Sequence, residues 1–153
     1  MIRLERHLRR DIRAEGEAAY PDECCGILLG TVDARDTRTV AKLRPVVNAR
    51  EAGERYHRFR MEADDILRAE RLARSEGLDI LGFYHSHPDQ PAVPSGYDRE
   101  YALPWYSYVI VAVLRGKARS MTFWTLAEDR SRFLRERSSA DVSGLRPEPR
   151  RGA

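Results

Sequence analysis

The chain has 153 residues, 42% of them hydrophobic, which is the size of one ordinary domain with a single buried core. Its 27 Lys and Arg residues are interspersed with 24 Asp and Glu residues, so the sequence lacks the clustered basic face of a nucleic-acid-binding protein. The longest apolar runs, 24–29 and 109–114, are far shorter than the roughly 20 residues of a membrane span, and the N-terminus lacks the apolar core of a signal peptide. We therefore expect a soluble protein that is not secreted and has no nucleic-acid or membrane partner.

The two cysteines, Cys24 and Cys25, are adjacent and cannot join distant segments by a disulfide. This use of cysteine predicts a reducing, cytoplasmic location. Because neighbouring residues of a strand point to opposite faces, both thiols binding one ion is not expected. We interpret Cys25 as a core residue and leave the role of Cys24 open.

The first half of the chain alternates between helix and strand patterns. Apolar residues at helical spacing predict an amphipathic helix over 3–19, ended by Pro21. A short apolar run bounded by glycine predicts a buried strand over 24–30. A turn leads to a more exposed strand over 37–47, and a polar loop follows over 48–55.

The second half begins with a predicted helix over 62–75, ended by Gly77, and a strand over 79–87. After a proline-rich loop, the remaining predicted elements are a short helix from 95, strands over 106–114 and 119–126, and an edge strand over 132–137. We therefore predict an α/β or α+β fold, in which helices flank a mixed sheet. A single domain over 1–137 and a disordered polar tail over 138–153 complete the expected organisation.

A metal site is predicted at the end of the strand over 79–87. His85 and His87 are two residues apart, so their imidazoles project from the same face of a strand. The following loop brings Asp98 back within reach as a third ligand. Two imidazoles, one carboxylate and an open fourth position are typical of catalytic zinc rather than structural zinc.

Ser95 and Asp98 have an alternative interpretation. The pattern Ser95-x-x-Asp98 also fits a helix capping box, in which both side chains satisfy backbone N–H groups.

Glu23, taken alone, is interpreted as a solvated carboxylate at the end of a strand.

The combined motif resembles a known family. His85-Ser86-His87-Pro88 is followed, after seven residues counted from His87, by Ser95, and two further residues precede Asp98. This arrangement resembles the JAMM signature of the MPN-plus metalloproteases, in their stand-alone prokaryotic type. Glu23, in the run 21–26, matches the upstream glutamate of that family, and the resemblance extends over about residues 2–126.

The resemblance implies an MPN fold related to that of cytidine deaminases, and a zinc-dependent peptidase or isopeptidase. It assigns the metal to His85, His87 and Asp98, proton transfer to Glu23, and stabilisation of the oxyanion to Ser95. Such roles suit the chemistry of the residues, since a zinc site makes hydroxide available near neutral pH and a carboxylate then carries the proton to the leaving amine.

The resemblance also implies a substrate, namely the bond after the C-terminal Gly-Gly of a ubiquitin-like or sulfur-carrier protein. Two alternatives remain: a non-catalytic MPN scaffold, and a zinc amidase that acts on another amide such as a peptidoglycan peptide. A zinc deaminase is disfavoured, because the chain has neither a His-x-Glu nor a Pro-Cys-x-x-Cys sequence. No pattern in the sequence sets the oligomeric state.

Overall fold

The computed structural model describes residues 1–50 and 60–139. Its elements, in chain order, are β1 (Ile2–Arg3), α1 (Arg6–Ala19), β2 (Cys25–Val32), β3 (Arg38–Val46), α2 (Ala63–Ser75), β4 (Asp79–Pro88), α3 (Gly96–Tyr101), β5 (Ser107–Leu114), β6 (Lys117–Leu126) and β7 (Phe133–Arg135). The strands form one sheet in the order β1-β3-β2-β4-β5-β6-β7. The pairs β1–β3 and β4–β5 are parallel and the other pairs are antiparallel. This mixed sheet with helices on its faces confirms the predicted fold class.

The two long helices pack on opposite faces of the sheet. On β2, Leu28 shares a core cluster with Ile12 of α1, whereas the preceding residue, Ile27, shares one with Ala69 of α2. The alternation of side chains along a strand sends neighbouring residues into the two clusters. All four side chains are fully buried, and a buried Leu or Ile contributes roughly 1.5 to 3 kcal/mol.

The N-terminal helix begins three residues later than the sequence predicts. Ile2 and Arg3 instead form β1, which pairs in parallel with Arg38 and the residue after it at the start of β3. Ile2 and Leu4 are both buried, so this stretch follows the two-residue period of a strand and not the spacing of a helix. A strand of two residues is too short for that period to be recognised in a sequence.

The helix predicted over 62–75 is confirmed as α2. Glu62 is its N-cap, and Glu62 and Asp65 together form a capping box. Gly77 follows the helix with φ of 68°, a left-handed conformation that glycine adopts without strain.

The turn between β5 and β6 is shorter than predicted. Arg115 and Gly116 both have positive φ, 51° and 78°, as in the two-residue turns whose twist matches that of the flanking strands. β6 therefore begins at Lys117, two residues before the predicted start.

The C-terminal end of the described chain returns to the first strand. Ser138 is buried and forms a parallel bridge with Ile2, whose N–H donates to the Arg137 carbonyl at 2.9 Å. The structure thus extends to residue 139, and the rest of the predicted tail, 140–153, lies outside the described residues. Most of the predicted loop over 48–55 lies outside them as well.

No helix in the described ranges is long and apolar enough to cross a membrane.

Gly26 gives a first testable prediction, because β2 passes close to the ring of Tyr84. A Cβ atom at Gly26 would lie 2.1 Å from Cζ of Tyr84, whose hydroxyl donates to Glu15 Oε2 at 2.7 Å and is thereby held in place. We expect Gly26→Ala to lower the free energy of unfolding by about 1 to 3 kcal/mol, the usual cost of overpacking. Gly96→Ala is the matched control, since nothing lies within 4 Å of its Cβ position. Equal urea-denaturation midpoints for the two variants would contradict the predicted clash.

Candidate metal centre

The two histidines are placed by the alternation of β4. Tyr84 packs in the cluster on the α1 side of the sheet, so His85 and His87 project from the opposite face. Both are buried, with 2% and 4% of their surface exposed. Their Nε2 atoms are 3.0 Å apart, at the end of the strand that Pro88 closes.

Asp98 reaches the same point from α3. Its Oδ1 lies 3.2 Å from His85 Nε2, and its Oδ2 lies 3.3 Å from His87 Nε2. Within the described residues, these three side chains form a group whose ligand atoms all lie within 4.8 Å of one another. The three residues that the sequence motif predicts as ligands thus lie close together in the fold.

The separations within this group fit a tetrahedral zinc ion. Ligands about 2.0 to 2.1 Å from such an ion are about 3.3 Å from one another. The Nε2 atoms of the two histidines, 3.0 Å apart, and the 3.2 Å between His85 Nε2 and Asp98 Oδ1 are close to that value, and the second oxygen, Oδ2, lies 3.3 Å from His87 Nε2. Nitrogen and carboxylate ligands also suit zinc, so the residues present fit the metal that the sequence predicts.

A backbone carbonyl fixes the orientation of His87. Its Nδ1 lies 2.9 Å from the Pro91 carbonyl oxygen, which can only accept a hydrogen bond, so Nδ1 carries the proton. The Nε2 atom of the neutral ring is then left with its lone pair directed at the site. Histidines that bind metals are typically oriented in this way.

The charges of the group favour a cation. Burial raises the pKa of Asp98, but its close contacts with His85 and His87 outweigh that effect and hold the pKa well below its usual range. Burial lowers the pKa of His85, which favours the neutral imidazole. A carboxylate beside a neutral imidazole is the protonation state that a metal ligand requires.

Glu23 lies two residues before the start of β2, close to the candidate centre. The antiparallel pairing of Cys25 with His85 continues in the hydrogen bond from the Ser86 N–H to the Cys24 carbonyl, so Glu23 comes just before the paired part of β2, at the end of β4 that carries the histidines. The residue is 6% exposed, and burial, assisted by the negative charge of Asp98, raises the pKa of its carboxyl group to about 9. A buried carboxyl group with a strongly raised pKa beside a candidate metal centre is typical of a proton carrier.

Ser86 joins the strand of the histidines to the segment that carries Glu23. Its Oγ accepts a hydrogen bond from the Cys24 N–H at 2.8 Å, and its own N–H donates to the Cys24 carbonyl at 3.1 Å.

Burial raises the pKa of the Cys24 thiol to about 11, so the thiol remains protonated at neutral pH. Cys25 is buried, in agreement with its interpretation as a core residue.

Ser95 is the N-cap of α3. Its Oγ accepts from the Asp98 N–H at 3.1 Å, and the Ser95 N–H donates to Asp98 Oδ2 at 2.7 Å. The capping box considered as an alternative is therefore formed. It does not compete with the metal centre, since Asp98 contacts the histidines at the same time, and the Ser95 hydroxyl keeps its own hydrogen to donate.

Asn48 was not identified from the sequence. Its Nδ2 donates to the Glu23 carbonyl at 3.2 Å, while its Oδ1 accepts from the N–H groups of Arg50 and Arg60, each at 3.1 Å. Arg50 in turn donates to the hydroxyl of Tyr97 in α3. The segment after β3 thus contacts both sides of the candidate centre, and no local pattern around an asparagine in a polar stretch could have indicated this.

Comparisons with known proteins agree with the geometry. Residues 5–127 match the family described as prokaryotic homologs of the JAB domain. A curated protein named desampylase, from Haloferax volcanii, is 41% identical over 98 residues, which are 63% of this chain and 67% of that protein.

Two solved structures are similar to this one. The solution structure of a protein from Salinibacter ruber is 42% identical, with a TM-score of 0.71, and the match covers 98% of this chain and 94% of that one. The crystal structure of a JAB1/MPN domain protein from Archaeoglobus fulgidus is 18% identical, with a TM-score of 0.51 and coverage of 90% and 93%, and so is similar in fold. The chain belongs to the prokaryotic homologs of the JAB domain and is a hydrolase of the JAMM type.

Proposed function

We propose that this chain is a zinc-dependent peptidase that hydrolyses the bond after the C-terminal Gly-Gly of a ubiquitin-like or sulfur-carrier protein. In this proposal His85, His87 and Asp98 hold the metal, Glu23 carries the proton, and Ser95 stabilises the oxyanion. The observation that carries it is the meeting of three metal-binding side chains, two of them buried, close to the buried carboxyl group of Glu23.

A zinc ion held in this centre would polarise the scissile carbonyl and lower the pKa of water from 15.7 toward about 7. The positive charge of the ion would oppose the two effects that raise the pKa of Glu23, namely burial and the charge of Asp98. Glu23 in its carboxylate form can then take a proton from the attacking water and deliver it to the leaving amine. Glu23 is well suited to this transfer because the peptide group that follows it is fixed at both ends: Asn48 donates to the Glu23 carbonyl, and the Cys24 N–H donates to Ser86.

Ser95 is exposed beside the centre, and its hydroxyl hydrogen can be donated to the oxygen of the tetrahedral intermediate. A single donor of this kind is worth about 2.7 to 4 kcal/mol of the barrier. The bond that its Oγ accepts from the Asp98 N–H fixes the position of the oxygen, so the cap of α3 also holds the donor in place.

The substrate is supported by the relatives and by an open strand edge. The name desampylase denotes a hydrolase that acts on conjugates of a ubiquitin-like protein. In the described part of the chain, β3 pairs with β1 only at Arg38 and Thr39, and its remaining residues pair only with β2. An extended tail could add to this edge through main-chain hydrogen bonds, and glycine would allow the close backbone approach that the cleft requires.

Two adducts of a carrier protein test the substrate. We expect zinc-loaded enzyme to release cysteine from a carrier that ends in Gly-Gly-Cys, and to act much more slowly when the penultimate glycine is replaced by valine, because a branched side chain would prevent the close approach of the tail. Mass spectrometry of the carrier product measures both rates. Equal cleavage of the two adducts, or cleavage of neither, would refute the assignment of the substrate.

A further inference from the structure

A groove of about 370 Å³ lies between the loop before α3 and strands β6 and β7, and Ser95 is one of the residues that line it. Its apolar lining consists of Val93, Pro94, Trp124 and Phe133. Val93 is 56% exposed and open to a ligand, whereas the Arg135 guanidinium lies over the Trp124 ring, 4.9 Å from its centre. Because Ser95, the proposed oxyanion donor, lines the groove, a ligand bound there lies close to the scissile bond.

The rim of the groove is positively charged. Arg99 and Arg132 line it, and both residues are exposed. Nη1 of Arg99 donates to the Ser131 carbonyl at 3.0 Å, which holds the side chain at the rim and leaves most of its five N–H donors for a ligand. Asp129 lies near Arg132, but its Oδ1 accepts from the N–H of Ser131 at 3.0 Å and from its hydroxyl at 2.7 Å. An apolar floor under guanidinium groups suits a ligand with an apolar body and a carboxylate.

The order of the sheet decides which part of a substrate reaches this groove. The histidines lie on β4, the open edge of β3 lies on one side of β4, and β6 and β7 lie on the other. An acyl tail that pairs with the edge of β3 therefore approaches from the side of β2. The group released from its carboxyl end is then directed past Ser95 toward Trp124 and Phe133.

We propose that this groove binds the amino acid that is released, with its apolar side chain against Val93 and Phe133 and its free α-carboxylate on Arg99 and Arg132. The inference rests on the proposed function and narrows its substrate class. A linear adduct with one residue after Gly-Gly presents a carboxylate at this point, whereas an isopeptide on a lysine side chain of a folded protein does not. The groove thus favours removal of a single C-terminal residue.

The test compares two adducts on zinc-loaded, full-length enzyme: a carrier that ends in Gly-Gly-Leu with a free carboxylate, and the same carrier ending in the carboxamide. We expect the carboxylate adduct to have a kcat/KM about tenfold or more above that of the carboxamide, mainly through KM, because charge-assisted hydrogen bonds are roughly twice as strong as neutral ones. The double variant Arg99→Gln, Arg132→Gln should reduce this preference to near unity. Arg71→Gln, an exposed arginine on α2, is the control and should keep it.

The outcomes separate this inference from the function on which it rests. Equal kcat/KM values for the two adducts, with cleavage after Gly-Gly, would overturn the carboxylate groove and leave the peptidase intact. A preference that survives in the double variant would also overturn it. Cleavage of neither adduct by zinc-loaded enzyme would overturn the proposed function and this inference with it.

Discussion

Replacing Glu23 by glutamine is expected to lower the rate of hydrolysis by about 10² to 10⁴ while the zinc content stays unchanged. Glutamine keeps the size of the side chain but cannot accept a proton. Because Glu23 is not among the three side chains that could hold the metal, its replacement should leave the metal centre assembled. Zinc content by atomic absorption and the turnover of a Gly-Gly adduct would be measured on the same sample.

The control for this variant is Asp22→Asn, which removes a carboxylate one position away. Asp22 lies outside the candidate centre, and its backbone N–H donates to the Ala19 carbonyl, a contact that the substitution preserves. Its turnover should therefore match that of the unmodified protein. Undiminished turnover in metal-loaded Glu23→Gln would exclude Glu23 as the proton carrier.

His87→Ala should abolish both zinc binding and hydrolysis. The unmodified protein is expected to bind about one zinc ion per chain through three side chains, and removal of one ligand from so small a set leaves a pair that cannot hold the ion firmly. Loss of the ring also removes the contact with the Pro91 carbonyl, which fixes the loop before α3. Isothermal titration with zinc after treatment with a chelator would measure the effect.

His7→Ala provides the comparison for the loss of a histidine. The His7 side chain is 57% exposed, on α1, and its nearest acidic neighbour is Glu5. This variant should bind zinc as the unmodified protein does. If His87→Ala bound zinc with unchanged stoichiometry and affinity, the metal would have to lie elsewhere.

The histidine part of the centre was predictable because a strand has a fixed period. His85 and His87 must share a face in any strand, and the short helix from Ser95 follows from its capping pattern. The position of Glu23 depends instead on the pairing of β2 with β4, two segments about sixty residues apart. Register of this kind is set by packing across the sheet. For Glu23, only the resemblance to a family placed the residue at the site.

The parts that could not be predicted depend on distant contacts. The groove beside Ser95 draws its lining from a loop, from β6 and from β7, and no window of the sequence contains all of them. The two-residue strand β1 forms because the start of β3 offers it a partner. Local periodicity identified the longer elements to within a few residues, and tertiary pairing determined the rest.

The contact between Ile2 and the backbone at 137–138 brings the two ends of the described domain to the same place. A domain whose ends meet can be carried within a loop of another protein on short connections, without pulling its outer strands apart. The same proximity makes a circular permutant feasible, in which a short linker joins these ends and new ends open at the two-residue turn of Arg115 and Gly116. The domain can therefore be inserted into another protein as a unit.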